Sequence, residues 1–413
     1  MSCRDPILLA LLVLSLAPES HAQARHGGGL PVSETFTFPA GQRRVAIPFI
    51  DAGGHIVIPM VVNGGPTLQM VFDTGMPSPG VLLYEGTVAD SLHLEFSPMR
   101  IQVGGAGSAK AAQARLATGV TLQAGALSIG GSIAIVMPPT PEMSQLHDGI
   151  IGATFLQNVI VTIDHDRNEL VLEQRDGFVP PKDAAEVPLE LSGRVAYVTA
   201  GLVGANGEVT PVRLVLDIGA THAVSLNQHS NAAVQVPANA LATRVGRGMS
   251  GVMTGRVGRI AGLELGGQRL TDVVATFPDS AFENPRGLDS RDGNLGSGIL
   301  SRFTITFDYA NSRMFLRPTA RLGNAFEWEM SGVVYDPGPD GKPVIAAVLP
   351  GSPAALAGVL PGDVVVAVDG QPADPRALMR ERERFREPGR EVVLRVRRAG
   401  TERNLKFKLK RLV

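Results

Sequence analysis

The chain has 413 residues, 44% hydrophobic and 19% charged, with a formal net charge of −1. That is the composition of roughly two to four globular domains, not of a disordered or collagenous chain, and it offers no charge excess for a nucleic-acid partner. There is one cysteine, Cys3, while 48 Gly and 30 Pro against 5% aromatics favour a turn-rich β architecture over a helical bundle.

The first predicted element is a leader. ILLALLVLSLA (7–17) follows Arg4 and precedes Ala22-Gln23-Ala24. This apolar run is too short to span a bilayer, and A-x-A is a cleavage pattern. A signal peptide is therefore expected over 1–24, with the mature protein exported. Its removal takes Cys3 with it, which excludes disulfides, thiol catalysis and thiolate metal sites. RHGGGLPVSE (25–34) reads as a loose tail, and no later segment has the makings of a membrane span.

Beyond the tail the chain repeats itself. MVFDTGMPSPGVL (70–82) and LVLDIGATHAVSL (214–226) each place an Asp after three apolar residues, with Gly two residues on. Asp73 and Asp217 are 144 residues apart, as are DGIIG (148–152) and DGNLG (292–296), VTID (161–164) and ITFD (305–308), and Leu172 and Leu316. Gly104 and Gly107 match Gly248 and Gly251 at the same offset. So many ordered agreements mean two copies of one domain. Each copy reads as β: HIVIPMVV (55–62) and VRLVLDI (212–218) are β-branched runs, and VIVTID…ELVLE (159–173) and FTITFD…RMFLRP (303–318) read as hairpins. The turn Asp164-His165-Asp166-Arg167-Asn168 faintly mimics a calcium loop. It lacks the Gly at the sixth place and carries Arg175 where a Glu ligand belongs, so a hairpin turn is the better reading.

An Asp at the end of an apolar strand needs hydrogen bonds or a partner to offset the cost of its burial. If the two copies pack about a pseudo-twofold axis, Asp73 and Asp217 meet across it. Two carboxylates at that range cannot both ionise, so they share one proton. One then activates a water and the other protonates a substrate carbonyl, the dyad arrangement of aspartic proteases. On VFDTG, VLDIGA, the elements IIG (150–152) and NLG (294–296), and the closing hairpin of each copy, residues 40–318 resemble the aspartic peptidases, in particular the bacterial retropepsin-like proteins.

The resemblance implies a mainly β protein with two tandem retropepsin-like β-barrel lobes in a pseudo-twofold arrangement, over about 25–180 and 181–322. It implies Asp73 and Asp217 as catalytic residues, with Thr74, Gly75, Ile218, Gly219 and Ala220 in the active-site turns. The flaps would be VGGAGS (103–108, with Gly104, Gly105 and Gly107) and GRGMSG (246–251, with Gly248 and Gly251). GRGMSG also fits G-x-G-x-x-G, but the β-branched sequence behind it favours a hairpin over a dinucleotide loop. GGAGSAK (104–110) lacks the ending of a phosphate loop. Three positions depart from the family pattern: Ile218 has no hydroxyl for the interlobe lock that Thr74 half provides, Met76 replaces a small residue, and Asn294 interrupts an apolar position. The eight histidines form no metal motif, and His222, Thr221 and Ser225 read as loop and turn polars. No cofactor or metal is expected.

After Pro318 the composition shifts. SPAALAGVLPGDVVVAVDG (352–370) resembles the permuted PDZ domains of bacterial periplasmic proteases, which implies a small α+β PDZ domain over about 323–413. Ser352-Pro353 would start a short helix and Gly358 stop it. ALMRERERFRE (377–387) reads as a second, solvated helix with Phe385 inward. Such domains bind a peptide C-terminus by strand addition, and Ser331, Gly332 and Val333 are the candidates for holding its carboxylate. Two functions are compatible with this reading: an exported aspartic endopeptidase, periplasmic or secreted, acting on peptides or unfolded proteins, and a non-catalytic peptide-binding adaptor. Neither implies nucleic acid, and the sequence sets no oligomeric state.

Overall fold

The computed structural model of the chain describes residues 15–16, 32–107, 111–139, 147–282, 290–338, 341–373 and 384–413. Most of the expected leader and all of 374–383, in the expected second helix of the last module, lie outside the described residues. No described helix is long and apolar enough to cross a membrane.

Two six-stranded barrels dominate. The first runs in spatial order through His55–Val62, Thr67–Phe72, Gly149–Ile151, Val81–Tyr84, Leu127–Met137 and Ala112–Ala124. It closes where Val61 and Val62 pair with Gln123 and Leu122. The second repeats that order with Val195–Val203, Val209–Asp217, Gly293–Gly296, Val224–Leu226, Gln268–Pro278 and Gly251–Leu265. Its closure pairs Gly201–Val203 with Gly262–Glu264. The β-branched runs form the strands because each presents a buried face to a barrel interior. Along Val209–Asp217 burial deepens to Leu214, Val215 and Leu216 before the half-buried Asp217.

A shared sheet joins the lobes. Arg44–Pro48, Glu169–Glu173 and Ile160–Asp164 come from the first copy, and Phe303–Asp308, Arg313–Pro318 and Ala185–Pro188 from the second. At its centre Thr162 faces Thr306 in antiparallel register, with their hydroxyls 2.9 Å apart. These residues are themselves one repeat apart, so the pseudo-twofold axis passes between them. Asp164 caps its own hairpin by accepting from the N–H groups of Asp166 and Arg167, which makes the mock calcium loop a β-turn.

The C-terminal module has its own core around Ile345, Val365, Leu394 and Phe407. Its sheet is ordered Val333–Pro337, Pro343–Val348, Val364–Val368, Glu391–Arg398, Thr401–Lys408. The helix Pro353–Leu356 starts as expected, with the Ser352 hydroxyl accepting from Ala355 N–H. Where the sequence predicts the end of a second helix, Arg384–Arg386 form a single 3₁₀ turn with Phe385 buried.

Candidate active site

Strands Thr67–Phe72 and Val209–Asp217 end together at the interlobe face, each held in parallel register by the short strand that carries the Ile-Ile-Gly or Asn-Leu-Gly element. Asp73 Oδ1 accepts from Gly75 N–H at 2.7 Å, and Asp217 Oδ1 from Ala220 N–H at 3.0 Å. A Cβ on Gly75 would lie 3.0 Å from Asp217 Oδ1 and 3.1 Å from Asp73 Oδ1, so both oxygens crowd one point. A Cβ on Gly219 would come within 2.3 Å of the Asp73 carboxyl carbon, which is why neither turn admits a side chain there. Burial, and next the negative charge of Asp217, push the Asp73 carboxyl well above the usual carboxylate range.

The lock between the turns is half made. Thr74 Oγ1 donates to Leu216 C=O and accepts from Ile218 N–H, both at 2.9 Å, while the buried Ile218 offers no reciprocal pair. Thr74→Val keeps the shape and strands both backbone groups, so it should cost about 2 kcal/mol. A urea titration reading less than about 0.5 kcal/mol would show that the lock carries no stability.

The carboxylates sit in unlike surroundings. Asn294 Nδ2 donates to Asp217 Oδ2 at 2.7 Å. Its repeat counterpart beside Asp73 is Ile150, apolar and buried. Asn294 Oδ1 can only accept, so the His222 Nε2 lying 3.2 Å away carries the proton and fixes the amide's orientation. Burial pushes the His222 imidazole below its ordinary value, and Asp217 pulls the other way. His222 is on the loop between Asp217 and Val224, as expected, but its ring lines the cleft, and the contact gives the out-of-pattern Asn294 a role. Only its position two residues after Asp292 in the repeat signalled it. Met76 is buried among Leu82, Ile133 and Ile150.

Both glycine-rich stretches form hairpin tips that meet over the cleft. Phe96–Val103 and Ala112–Ala124 flank Gly104, Gly105 and Gly107, and Leu241–Gly248 pairs with Gly251–Leu265. Gly105 N–H donates to Ser250 Oγ at 3.1 Å, and Ser250 N–H to Ala106 C=O at 2.9 Å. A Cβ on Gly248 would fall 2.2 Å from Ala106 C=O, a contact only glycine permits. Each lobe thus contributes a glycine-rich segment above the two carboxyls. Beneath them lies a cavity of about 1110 Å³ that contains Asp73, Asp217 and His222 and continues to Val333 and Tyr335 of the C-terminal module.

The aspartyl protease family model matches the chain twice, over 58–155 and 198–300, and the PDZ domain model matches 320–409. The two lobes are aspartyl-protease-family domains, and the module after them is a PDZ domain. No curated protein sequence matches the chain. Among solved structures, that of an aspartic proteinase from Irpex lacteus is similar, with a TM-score of 0.48 at 13% identity over 68% of this chain and 99% of that one.

In the PDZ domain, the loop expected to hold a peptide carboxylate already holds one of its own. Glu329 accepts from Ser331 N–H at 2.7 Å, from Gly332 N–H at 2.9 Å and from the Ser331 hydroxyl. Val333 N–H donates to Ser331 Oγ at 3.1 Å. The three residues expected to hold a carboxylate are thus brought together, with Glu329 as the acceptor for Ser331 and Gly332 and the Ser331 hydroxyl as the acceptor for Val333. Sequence reasoning missed Glu329 because nothing local marks a Glu as a ligand for the loop that follows it.

Proposed function

We propose that the protein is an aspartic endopeptidase, exported behind the leader at 1–24 to the periplasm or the exterior of a bacterial cell, whose PDZ domain recruits peptide or unfolded-protein substrate to the interlobe cleft. The observation that carries this reading is the unequal pair. Asp73, with Ile150 at the position where Asp217 has Asn294, is lifted by burial and by the charge of Asp217 and is suited to hold the shared proton. Asp217, given an amide donor by Asn294, is suited to hold the charge.

Hydrolysis follows from that division. A water between the carboxyls gives a proton to Asp217 as its oxygen bonds to the scissile carbon, while Asp73 protonates the carbonyl oxygen. The resulting gem-diol collapses: one hydroxyl returns its proton to Asp73, the C–N bond breaks, and the proton on Asp217 goes to the departing nitrogen. Overall, OH joins the carbonyl carbon and H the amine. The joined flaps have to part to admit a chain, and on closing they exclude water from the charges.

The test is incubation of the mature protein with an unfolded protein across acid to neutral pH, with new chain termini identified by mass spectrometry. New termini that accumulate in acid and fade toward neutral are expected, because Asp73 must be protonated. No new termini at any pH would overturn the enzyme and leave a peptide-binding adaptor.

A further inference from the structure

Two sheet edges, unpaired among the described residues, share one cavity. Val333–Pro337 is the outermost strand of the PDZ sheet, and Leu241–Gly248, the outer flap strand, is the outermost strand of the second barrel's sheet. No backbone hydrogen bond joins these strands among the described residues. Both line the cavity that contains the two carboxyls. Arg244 and Arg247 reach from the flap strand to Asp336 on the PDZ strand, at 2.5 and 2.7 Å, and hold the edges near one another.

Open strand edges facing one cavity are what an extended main chain, with its alternating N–H and C=O groups, would satisfy.

The end of the slot between these edges is closed to a chain terminus. Where a C-terminal carboxylate would dock, the N–H groups of Ser331 and Gly332 are bonded to Glu329, and the loop is braced by Val333 N–H on Ser331 Oγ. An incoming carboxylate would have to expel a carboxylate already in charge-assisted hydrogen bonds. A peptide entering by its middle meets no such competitor.

We infer that the slot between Val333–Pro337 and Leu241–Gly248 is an exosite for an internal, extended stretch of the polypeptide whose neighbouring stretch lies on Asp73 and Asp217, and that Glu329 turns the PDZ domain away from free C-termini. The inference rests on the reading of the cleft as peptide-binding. It replaces capture of a terminal carboxylate with capture of main chain, so the PDZ domain extends the cleft and selects long, unfolded substrates. Arg244, Arg247 and Asp336 tie the exosite to the flap, so a chain in the slot bears on the strand that roofs the dyad.

The test measures binding without turnover, on the full chain carrying Asp73→Asn and Asp217→Asn. The probes are fluorescein-labelled peptides tiled across unfolded casein. At about 20 residues, with roughly 3.3 Å per residue, they are long enough to reach both sites. Each is made as a free acid and as a C-terminal amide, and affinity is read by anisotropy. Acid and amide are expected to bind within about twofold of each other. Adding Glu329→Ala should open the nest and give acids an advantage of about tenfold, or 1.4 kcal/mol. Asp336→Asn, which breaks both ion pairs between the edges, should weaken acid and amide alike about fivefold. An acid preference of tenfold or more with Glu329 in place, unchanged affinity in Asp336→Asn, or binding of no tile would each overturn the exosite. Because binding is read on a chain without the two carboxylates, failure of wild-type hydrolysis with this pattern intact would overturn the catalytic reading alone.

Discussion

Asp217→Asn should lower the rate of peptide hydrolysis at least about a thousandfold, because the variant keeps the shape of the turn and loses the base. Asp73→Asn should lose a comparable factor by losing the acid. The two should part company in pH dependence of stability. Burial and the Asp217 charge hold the folded Asp73 well above its ordinary value. Between the ordinary value and the raised one, the unfolded chain has released this proton and the folded chain has kept it. Folding therefore takes up a proton in that window. The Asp73 contribution is complete below the ordinary value and declines as pH rises through the raised one. Asp73→Asn should abolish that slope, and Asp217→Asn should leave a shallower one, since burial remains and the neighbouring charge is gone. Denaturant unfolding from acid to neutral pH reads the slope directly. Equal slopes in wild type and Asp73→Asn would refute the assignment of the shared proton. Asn294→Ile, which copies the Ile150 side onto Asp217, should cost about tenfold in rate by removing a hydrogen bond to the charged carboxylate.

The largest expected loss of stability lies away from the dyad, at Arg302. Its side chain is 6% exposed, and no carboxylate pairs with it among the described residues. The guanidinium instead donates to the carbonyls of Gly298, Arg321, Leu322, Asn324 and Ala325 and lies 3.5 Å from the centre of the Phe326 ring. Desolvation alone brings it down to about 10, still charged at neutral pH. It clamps the segment that leads from the second lobe to the PDZ domain. Arg302→Leu removes a donor from five carbonyls, of which Arg321 C=O keeps Asn324 N–H, and the expected cost is roughly 3 kcal/mol. Cleavage by added trypsin or chymotrypsin should appear within 321–328. Arg302→Lys should recover less than half, because a point charge cannot serve a fan of acceptors that a planar fork reaches. A loss under about 1 kcal/mol in Arg302→Leu would show that the segment holds by packing instead.

What could be read from the sequence was whatever repeats or alternates. The offset that links Asp73 to Asp217 also links Thr162 to Thr306, and both pairs meet on the axis. Two closed barrels follow from apolar runs of strand length, and the flap tips from glycines at matching places. The pairings that give the site its character do not repeat. His222 to Asn294 spans 72 residues and Arg244 to Asp336 spans 92, joining loops and edges with no periodic pattern. Glu329 was hidden differently: it is two residues from Ser331, yet its carboxylate turns onto the loop's N–H groups only because the module folds there. The second PDZ helix expected after Asp374-Pro375 falls mostly outside the described residues, and its described end is a single 3₁₀ turn.

The hydroxyl pair of Thr162 and Thr306 carries a historical consequence. A sheet completed by equivalent strands from two copies is what a symmetric dimer of one lobe would build. In such a dimer every substitution appears on both sides of the axis, so a change that favours one carboxylate is imposed on the other. Fusion into one chain lifts that obligation. Ile150 can be apolar where Asn294 is an amide, and Thr74 can carry a hydroxyl where Ile218 carries none. Unlike surroundings for the two carboxyls are open to two copies in one chain and closed to a symmetric dimer.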